Sequence, residues 1–306
     1  MKKPLIVVAT VVAVAFAAVW FRRQGGAGGT TTLSRPDAAE VERVKDFWAA
    51  YNRANALRAQ GDFTQAVPAF RKALELNPSH EDSLYYLGTS LYEIGDYQQA
   101  ADEFRKIIAA NPASGRAWSQ LGNTLSVDAN GEPKHYAEAQ HAYERSAQLN
   151  PEQAGPFLGL GLLDLKRGRL DRARENFRIA AGFGSPEGSY LLAYTFFLER
   201  REREALPLLC KILNTYAREK KIIGRGVLSE GDLLPGPGKP LTELDKSALR
   251  SIVLVNRIAR RLGSYPAEVP KEFCIQTPLN ESAILHALKA ESGLEAGARP
   301  SLTPIP

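Results

Sequence analysis

The sequence has little of the chemistry that most enzymes use. Its 306 residues include four histidines with no His-Glu-x-x-His pairing, and no nucleophile stands at a recognisable spacing from a base. The segment GPGKP lacks the upstream glycine and the serine or threonine of a phosphate-binding loop. Gly182 and Gly184 do not follow a predicted strand, so they do not indicate a dinucleotide site. We therefore predict neither an enzyme nor a bound cofactor.

Metal-ligand patterns and strong charge of one sign are also missing. Asp128, Asn130 and Glu132 alternate as in a calcium loop, but the glycine falls at Gly131 rather than at the sixth loop position, and no glutamate closes the set. The net charge is only +5, and acidic and basic residues are interspersed, as in REREAL. Such mixing indicates solvated helix faces, so we predict no metal ion and no nucleic-acid partner.

What the sequence does contain is an internal repeat. The segment GDFTQAVPAFRKALELNP, ending at Pro78, returns 34 positions later as GDYQQAADEFRKIIAANP, ending at Pro112. The matched residues are Ala66 and Ala100, Phe70 and Phe104, Ala73 and Ile107, and Pro78 and Pro112. A fixed period of this size predicts an array of helix pairs. We expect the small residues to let two helices approach closely, Gly61 or Gly95 to end the first helix, and each Asn-Pro to end the second.

The order small residue, aromatic residue, small residue and proline, preceded by YYLGTSLYEIGDY, resembles the tetratricopeptide repeat family. The resemblance covers roughly residues 47–219 and implies an all-α superhelical solenoid of antiparallel helix pairs, with about five repeats inside residues 36–219. The third repeat has extra residues in SVDANGEPKH, between its two helices. The fifth repeat departs most from the family pattern.

Residues 220–291 are predicted to form a helical cap, because a repeat array needs a polar end. Thr242 and Asp245 indicate a helix start, followed by an apolar stripe that ends at Leu262. Lys246, Arg250, Arg257 and Arg261 lie opposite this stripe, which predicts a wet outer face; a basic helix at a membrane surface is the alternative. Residues 292–306 are predicted to be a disordered tail.

The N-terminal residues 1–23 are predicted to be a transmembrane anchor. The run Pro4–Phe21 is uncharged and, as a helix, would span about 27 Å, close to the thickness of the hydrocarbon core. The sequence Ala15-Phe16-Ala17 also suits a cleaved signal peptide, but the apolar run continues past it, which favours an uncleaved anchor. Residues 24–35, rich in glycine, are predicted to be a flexible linker.

The orientation of this anchor is left open by the charges, since two lysines precede the span and two arginines follow it. A short tail that begins Met-Lys-Lys resembles a bacterial export signal. This resemblance predicts that the repeats lie in the periplasm and are anchored in the inner membrane. The alternative is a repeat domain that faces the cytosol.

The family resemblance implies a concave groove, lined by the first helix of each repeat, that holds a peptide. The residues at these places include Tyr51, Asn55, Tyr85, Thr89, Tyr92, Asn123, Tyr190 and Tyr194. Some chaperone adaptors of the family clamp a C-terminal carboxylate there, but only Asn55 and Arg116 resemble that set, whereas Tyr51, Tyr86 and Gln120 replace the rest. A chaperone-tail clamp is therefore not predicted.

The two cysteines, Cys210 and Cys274, would form a disulfide if the repeats are exported, or stay as small buried side chains if they are not. The leading hypothesis is a membrane-tethered scaffold that binds a protein partner during assembly of a bacterial envelope complex, such as a pilus, secretion, cytochrome-maturation or cell-wall machine. The alternative is a cytosol-facing receptor for targeting peptides.

Overall fold

A computed structural model describes residues 37–128, 133–221 and 240–263, together with residues 266–267, 269, 284–285 and 287–288. The chain divides into two compact units, Met1–Val44 and Lys45–Pro306. Of the first unit, the described residues are only 37–44, which contribute the start of one helix. The second unit holds the rest of the described chain.

The described residues form eleven helices and no strand. In chain order they are α1 Ala38–Ala59, α2 Phe63–Leu76, α3 Glu81–Glu93, α4 Tyr97–Ala110, α5 Gly115–Asp128, α6 Pro133–Leu149, α7 Ala154–Lys166, α8 Leu170–Gly182, α9 Pro186–Leu198, α10 Glu202–Glu219 and α11 Glu243–Leu262. From α3 to α10, each helix packs against the next one. Connections of three or four residues join these helices, so consecutive helices run in opposite directions. The prediction of an all-helical, tetratricopeptide-like solenoid is confirmed.

The first two repeats use the same local signals at the same places. Gly61 and Gly95 have positive φ angles of 79° and 85° and follow the ends of α1 and α3. Asp62 and Asp96 then cap α2 and α4 by accepting hydrogen bonds from the backbone N–H groups three residues on, at 3.1 and 3.3 Å. These turns confirm the predicted helix ends.

Close packing inside each repeat depends on a small residue that faces an aromatic ring. A Cβ atom added to Gly88 would lie 2.9 Å from the Phe104 ring, and one added to Gly161 would lie 2.4 Å from the Phe177 ring. Real carbon atoms do not approach this closely, so only glycine fits there without a shift. Ala54 takes the corresponding place in the first repeat and is fully buried.

The C-terminal helix α11 begins with the predicted capping box. Thr242 Oγ1 accepts from the Asp245 N–H at 3.1 Å, and Asp245 Oδ2 accepts from the Thr242 N–H at 2.8 Å. Lys220 also forms an ion pair with Asp245 at 2.7 Å, which ties this helix start to the end of α10.

The predicted solvated face of α11 is only partly exposed. Of its four basic residues, Arg250 is buried, Lys246 and Arg257 are half-buried and Arg261 is exposed, whereas Leu262, expected on the apolar stripe, is 53% exposed. The helix packs against both α9 and α10, and Val269, Ile284 and Leu288 join the same core. A helix enclosed on more than one side cannot keep a continuous solvated face, so its polar residues are drawn into the core as well.

Several predictions lie wholly or partly outside the described residues: the anchor at 1–23, the linker at 24–35, residues 129–132 of the inserted segment, residues 222–239 of the cap and the tail at 292–306. Among the helices of the described ranges, none is long and apolar enough to cross a membrane.

Candidate functional site

The residues predicted to line a groove occupy the first helix of four repeats, namely α1, α3, α5 and α9. Six of them are half-buried: Tyr51, Asn55, Tyr85, Thr89, Asn123 and Tyr194. The other two are buried, with Tyr92 8% exposed and Tyr190 0% exposed. Exposure therefore divides the predicted set, and only the half-buried members can touch a partner without a change in the fold.

Tyr51 belongs to an aromatic cluster at the start of the array. Its ring centroid lies 5.7 Å from that of Trp48, 6.0 Å from that of Phe47 and 5.1 Å from that of His80. Trp48 is 44% exposed, so it offers a large apolar surface beside Tyr51. The sequence prediction missed Trp48, although it lies one helical turn before Tyr51.

His80 holds this cluster against the second repeat. Its Nδ1 accepts a hydrogen bond from the Ser83 N–H at 3.1 Å and so caps α3. Burial lowers the pKa of His80, while the nearby charge of Asp82 acts in the opposite direction. The neutral ring that the cap requires is therefore favoured by the burial of the site.

Asn55 connects the aromatic cluster to a stacked arginine. Its Nδ2 donates to the Tyr51 carbonyl oxygen at 3.3 Å, and its Oδ1 accepts from Arg58 Nε at 3.4 Å. The Arg58 guanidinium lies over the Tyr86 ring, 4.4 Å from its centroid. Arg58 was not predicted, yet its place one turn after Asn55 on the same helix could have indicated it.

Tyr85, on α3 of the second repeat, contacts two residues on α5 of the third repeat. Its hydroxyl oxygen accepts from Gln120 Nε2 at 3.3 Å, and the Arg116 guanidinium lies 4.7 Å from its ring centroid. Arg116 is held in turn by Glu81 at 3.0 Å and Asp82 at 2.6 Å. Partial burial opposes ionisation of Glu81, but hydrogen bonds from Asn111, Arg116 and Ser114 outweigh it and lower the Glu81 pKa.

Part of the hydrogen-bonding capacity of the Asn123 side chain is used within the fold. Its Oδ1 accepts from the buried Tyr143 hydroxyl at 2.9 Å, and its Nδ2 donates to Gln120 Oε1 at 3.3 Å. Thr89 donates to the Tyr86 carbonyl oxygen at 3.1 Å. These two polar side chains support the site and leave less hydrogen-bonding capacity for a partner than the tyrosines do.

The prediction that Tyr190 lines an accessible groove is wrong. Its side chain is fully buried in the core that α11 completes, and burial raises its pKa. Its ring stacks on that of Tyr194 with 6.2 Å between centroids, and Tyr194 stacks on Phe197 at 6.4 Å. Only Tyr194 of this pair keeps partial exposure, so the fifth repeat offers much less tyrosine surface than the sequence suggested.

A continuous path of contacts joins the exposed Trp48 to half-buried residues of the first three repeats. We call this surface the tyrosine face; it consists of Trp48, Tyr51, Asn55, Arg58, Tyr85, Tyr86, Thr89 and Gln120. Four aromatic rings, two side-chain amides, a hydroxyl and one guanidinium offer apolar area and hydrogen bonds without a carboxylate. Such a surface is suited to a peptide rather than to covalent chemistry.

The remaining site predictions concern metals and cysteines. No group of three or more potential metal ligands occurs among the residues that the structure describes. Cys210 is buried on α10, and Cys274 lies outside the described residues, so their disulfide stays a prediction.

Known proteins support the repeat assignment. The tetratricopeptide repeat family model matches residues 51–115 and 134–188. The structure is similar to that of pilF from Pseudomonas aeruginosa, with a TM-score of 0.52 and 21% identity over 83% of this chain and 99% of that chain. It is also similar to MamA from Desulfovibrio magneticus RS-1, with a TM-score of 0.50 and 19% identity over 57% of this chain and 97% of that chain. At such identities the likeness concerns the fold alone. No curated protein matches the sequence.

Proposed function

We propose that this chain of tetratricopeptide repeats is a scaffold that binds a segment of a protein partner on its tyrosine face. The observation that carries the proposal is the continuity of this face across α1, α3 and α5, with Tyr51 and Tyr85 half-exposed at matching places of successive repeats. A partner peptide that crosses three helices would meet aromatic surface and hydrogen-bonding groups along its length.

The chemistry of the face fits a peptide for two reasons. Tyrosine and tryptophan give contact area at a modest cost in side-chain entropy, and their polar atoms can hydrogen-bond to a peptide backbone. Arg116, the other cation near the face, is already paired with Glu81 and Asp82. Most of the binding energy should therefore come from aromatic contacts and hydrogen bonds, so binding should depend only weakly on salt.

We further propose that the scaffold is tethered to a bacterial inner membrane and acts in assembly of an envelope complex. The support is the uncharged run Pro4–Phe21 and the glycine-rich stretch that follows it. Arg22 and Arg23 after the run offset Lys2 and Lys3 before it, so the charges also allow the second candidate, a cytosol-facing receptor for targeting peptides. A reporter enzyme that is active only outside the cytosol, fused after Arg23, separates the two: activity supports the envelope scaffold, and inactivity supports the receptor.

The binding proposal is tested with the double variant Tyr51→Ala, Tyr85→Ala in the full chain. Loss of one such aromatic anchor is expected to cost about 1 to 2 kcal/mol of affinity if it is a hot spot. The matched control is Tyr136→Ala, since Tyr136 is also half-buried and stacked with an arginine, Arg167 at 4.9 Å, but lies on the second helix α6. If partner recovery from membranes is equal for the double variant, the control and wild type, the tyrosine face is not the binding site.

A further inference from the structure

Two arginines, one on α1 and one on α5, stack on adjacent tyrosines of α3, and only one of these arginines is paired with carboxylates. The Arg58 guanidinium carbon lies 4.4 Å from the Tyr86 ring centroid, and that of Arg116 lies 4.7 Å from the Tyr85 centroid. The two rings are in contact, with 5.6 Å between their centroids. The pair therefore offers an internal comparison, because the two stacks have nearly the same geometry.

Arg116 is neutralised by two carboxylates, whereas Arg58 is not. Arg116 Nη2 lies 3.0 Å from Glu81 Oε1 and 2.6 Å from Asp82 Oδ1. In the described part of the chain, Arg58 has no carboxylate partner, and its only hydrogen bond is the 3.4 Å donation from Nε to Asn55. A guanidinium has five N–H donors, so those on the two terminal nitrogens of Arg58 stay available.

The surroundings of Arg58 hold its side chain ready for an anion. Stacking on Tyr86 and the contact with Asn55 fix the plane of the guanidinium, which lowers the entropy lost on binding. Arg58 is half-buried, so its charge is screened less than that of a fully solvated arginine.

We propose that Arg58 binds a carboxylate of the partner peptide and so makes the tyrosine face specific for peptides that carry one. This inference rests on the proposed function, because it concerns a peptide bound on that face. The planar guanidinium can donate two parallel hydrogen bonds to a carboxylate, a geometry that a lysine cannot reproduce. The carboxylate comes from an aspartate or glutamate side chain, or from the C-terminus of the peptide.

The test begins with a random peptide library, displayed with free C-termini and selected on the full chain in detergent. Each selected peptide is then synthesised with its acidic side chains intact or changed to amides, and with its C-terminus free or amidated. We expect wild type to bind a carboxylate form about tenfold or more tightly than the matching amide form. The form that loses affinity identifies the side chain or the C-terminus as the source.

Three variants test whether Arg58 is the source of this preference for the carboxylate form. Arg58→Met keeps the aliphatic stem and removes the charge, and it should abolish the preference while the amide forms still bind. Arg58→Lys keeps the positive charge but lacks the planar guanidinium, so it should retain only part of the preference for the carboxylate form. Arg116→Met is the matched control and should leave the preference intact, because that arginine is already paired.

The outcomes separate the inference from the proposed function. Peptide binding that needs Tyr51 and Tyr85 but shows no carboxylate preference, or a preference that survives Arg58→Met, overturns the inference alone. If no peptide binding depends on these tyrosines, the proposed function fails and the inference fails with it. If Arg58 only stabilised the packing of the repeats, Arg58→Met would lower the thermal midpoint of unfolding and weaken the binding of all peptide forms equally. We expect instead a midpoint within about 2 °C of wild type.

Discussion

The first three repeats and the last repeat present the same kind of residue in different environments. Tyr85 and Tyr190 occupy corresponding places on first helices, yet Tyr85 is half-exposed and contacts Gln120 and Arg116, whereas Tyr190 is 0% exposed. The difference arises because α11 packs onto α9, while none of the helices that the structure describes covers α3 in this way. In a repeat array, the element that packs next decides whether a residue binds a partner or supports the core.

The amino-acid composition of α3 and α9 agrees with the different exposure of Tyr85 and Tyr190. In α9, PEGSYLLAYTFFL, apolar residues occur on all sides, which is typical of an enclosed helix. In α3, EDSLYYLGTSLYE, polar residues alternate with a buried stripe of Leu84, Leu87 and Leu91. The C-terminal helix thus completes the core at the end of the array, and the accessible face is confined to the repeats before it.

The largest expected effect comes from truncating the two tyrosines. Tyr190→Ala should lower the free energy of unfolding by about 3 to 5 kcal/mol, because it leaves a cavity in the core shared by α9, α10 and α11. Tyr85→Ala removes a half-exposed ring and should cost no more than about 1.5 kcal/mol. Urea denaturation of both variants measures the difference. Equal losses would show that the two environments are not energetically distinct.

A second comparison lies within α7, where two glycines have different neighbours. Gly161→Ala should destabilise the chain by about 1 to 3 kcal/mol, because the added Cβ would lie 2.4 Å from the Phe177 ring. Gly155→Ala adds its Cβ to open space and should stabilise the helix by up to about 1 kcal/mol. Thermal unfolding of the two variants tests this, and destabilisation by Gly155→Ala would contradict the packing.

Acidification should weaken the junction between the first and second repeats, where His80 lies. The folded-state pKa of His80 is lowered by burial, so its contribution to stability is complete above the unfolded-state pKa of about 6.5 and is lost as pH falls through the folded value. Protonation also removes the Nδ1 acceptor that caps α3. His80→Asn, which keeps a capping side chain without titration, should reduce the loss of thermal stability between about pH 7.5 and about pH 5.5. An unchanged pH dependence would exclude His80 as its source.

The smallest expected effect concerns two buried tyrosine hydroxyls. The Tyr190 hydroxyl is buried and has no hydrogen-bond partner among the described residues, so Tyr190→Phe should change the free energy of unfolding by less than about 0.5 kcal/mol or stabilise the protein. The Tyr143 hydroxyl donates to Asn123 at 2.9 Å, so Tyr143→Phe should cost about 1 kcal/mol. If Tyr190→Phe were the more costly change, the core around α9 would hold a hydrogen bond that the structure does not show.

The sequence predicted the repeats because their signals are local. Gly61, Asp62 and the Asn-Pro at residues 77–78 act within a few residues, and their 34-residue recurrence is visible without a structure. The start of α11 was predicted for the same reason, since Thr242 and Asp245 form a local capping box.

The burial of Tyr190, Tyr92 and Arg250 could not be predicted in the same way. Their exposure depends on which helices cover them, and a periodic pattern records only one face of one helix at a time. Arg58 could have been suggested by its place one turn after Asn55, but its stacking contact with Tyr86 on another helix could not be predicted. Local signals thus predicted the fold, whereas the limits of the site required the packing between helices.

The most direct test of the account places a photo-crosslinking amino acid at position 85, 136 or 190 of the full chain in membranes. The account predicts a partner adduct from position 85 that weakens in the Tyr51→Ala background, no adduct from position 136, and only crosslinks within the chain from position 190, beneath α11. Partner adducts from position 136 or 190 as strong as those from position 85 would contradict it, because binding would then not be confined to the tyrosine face.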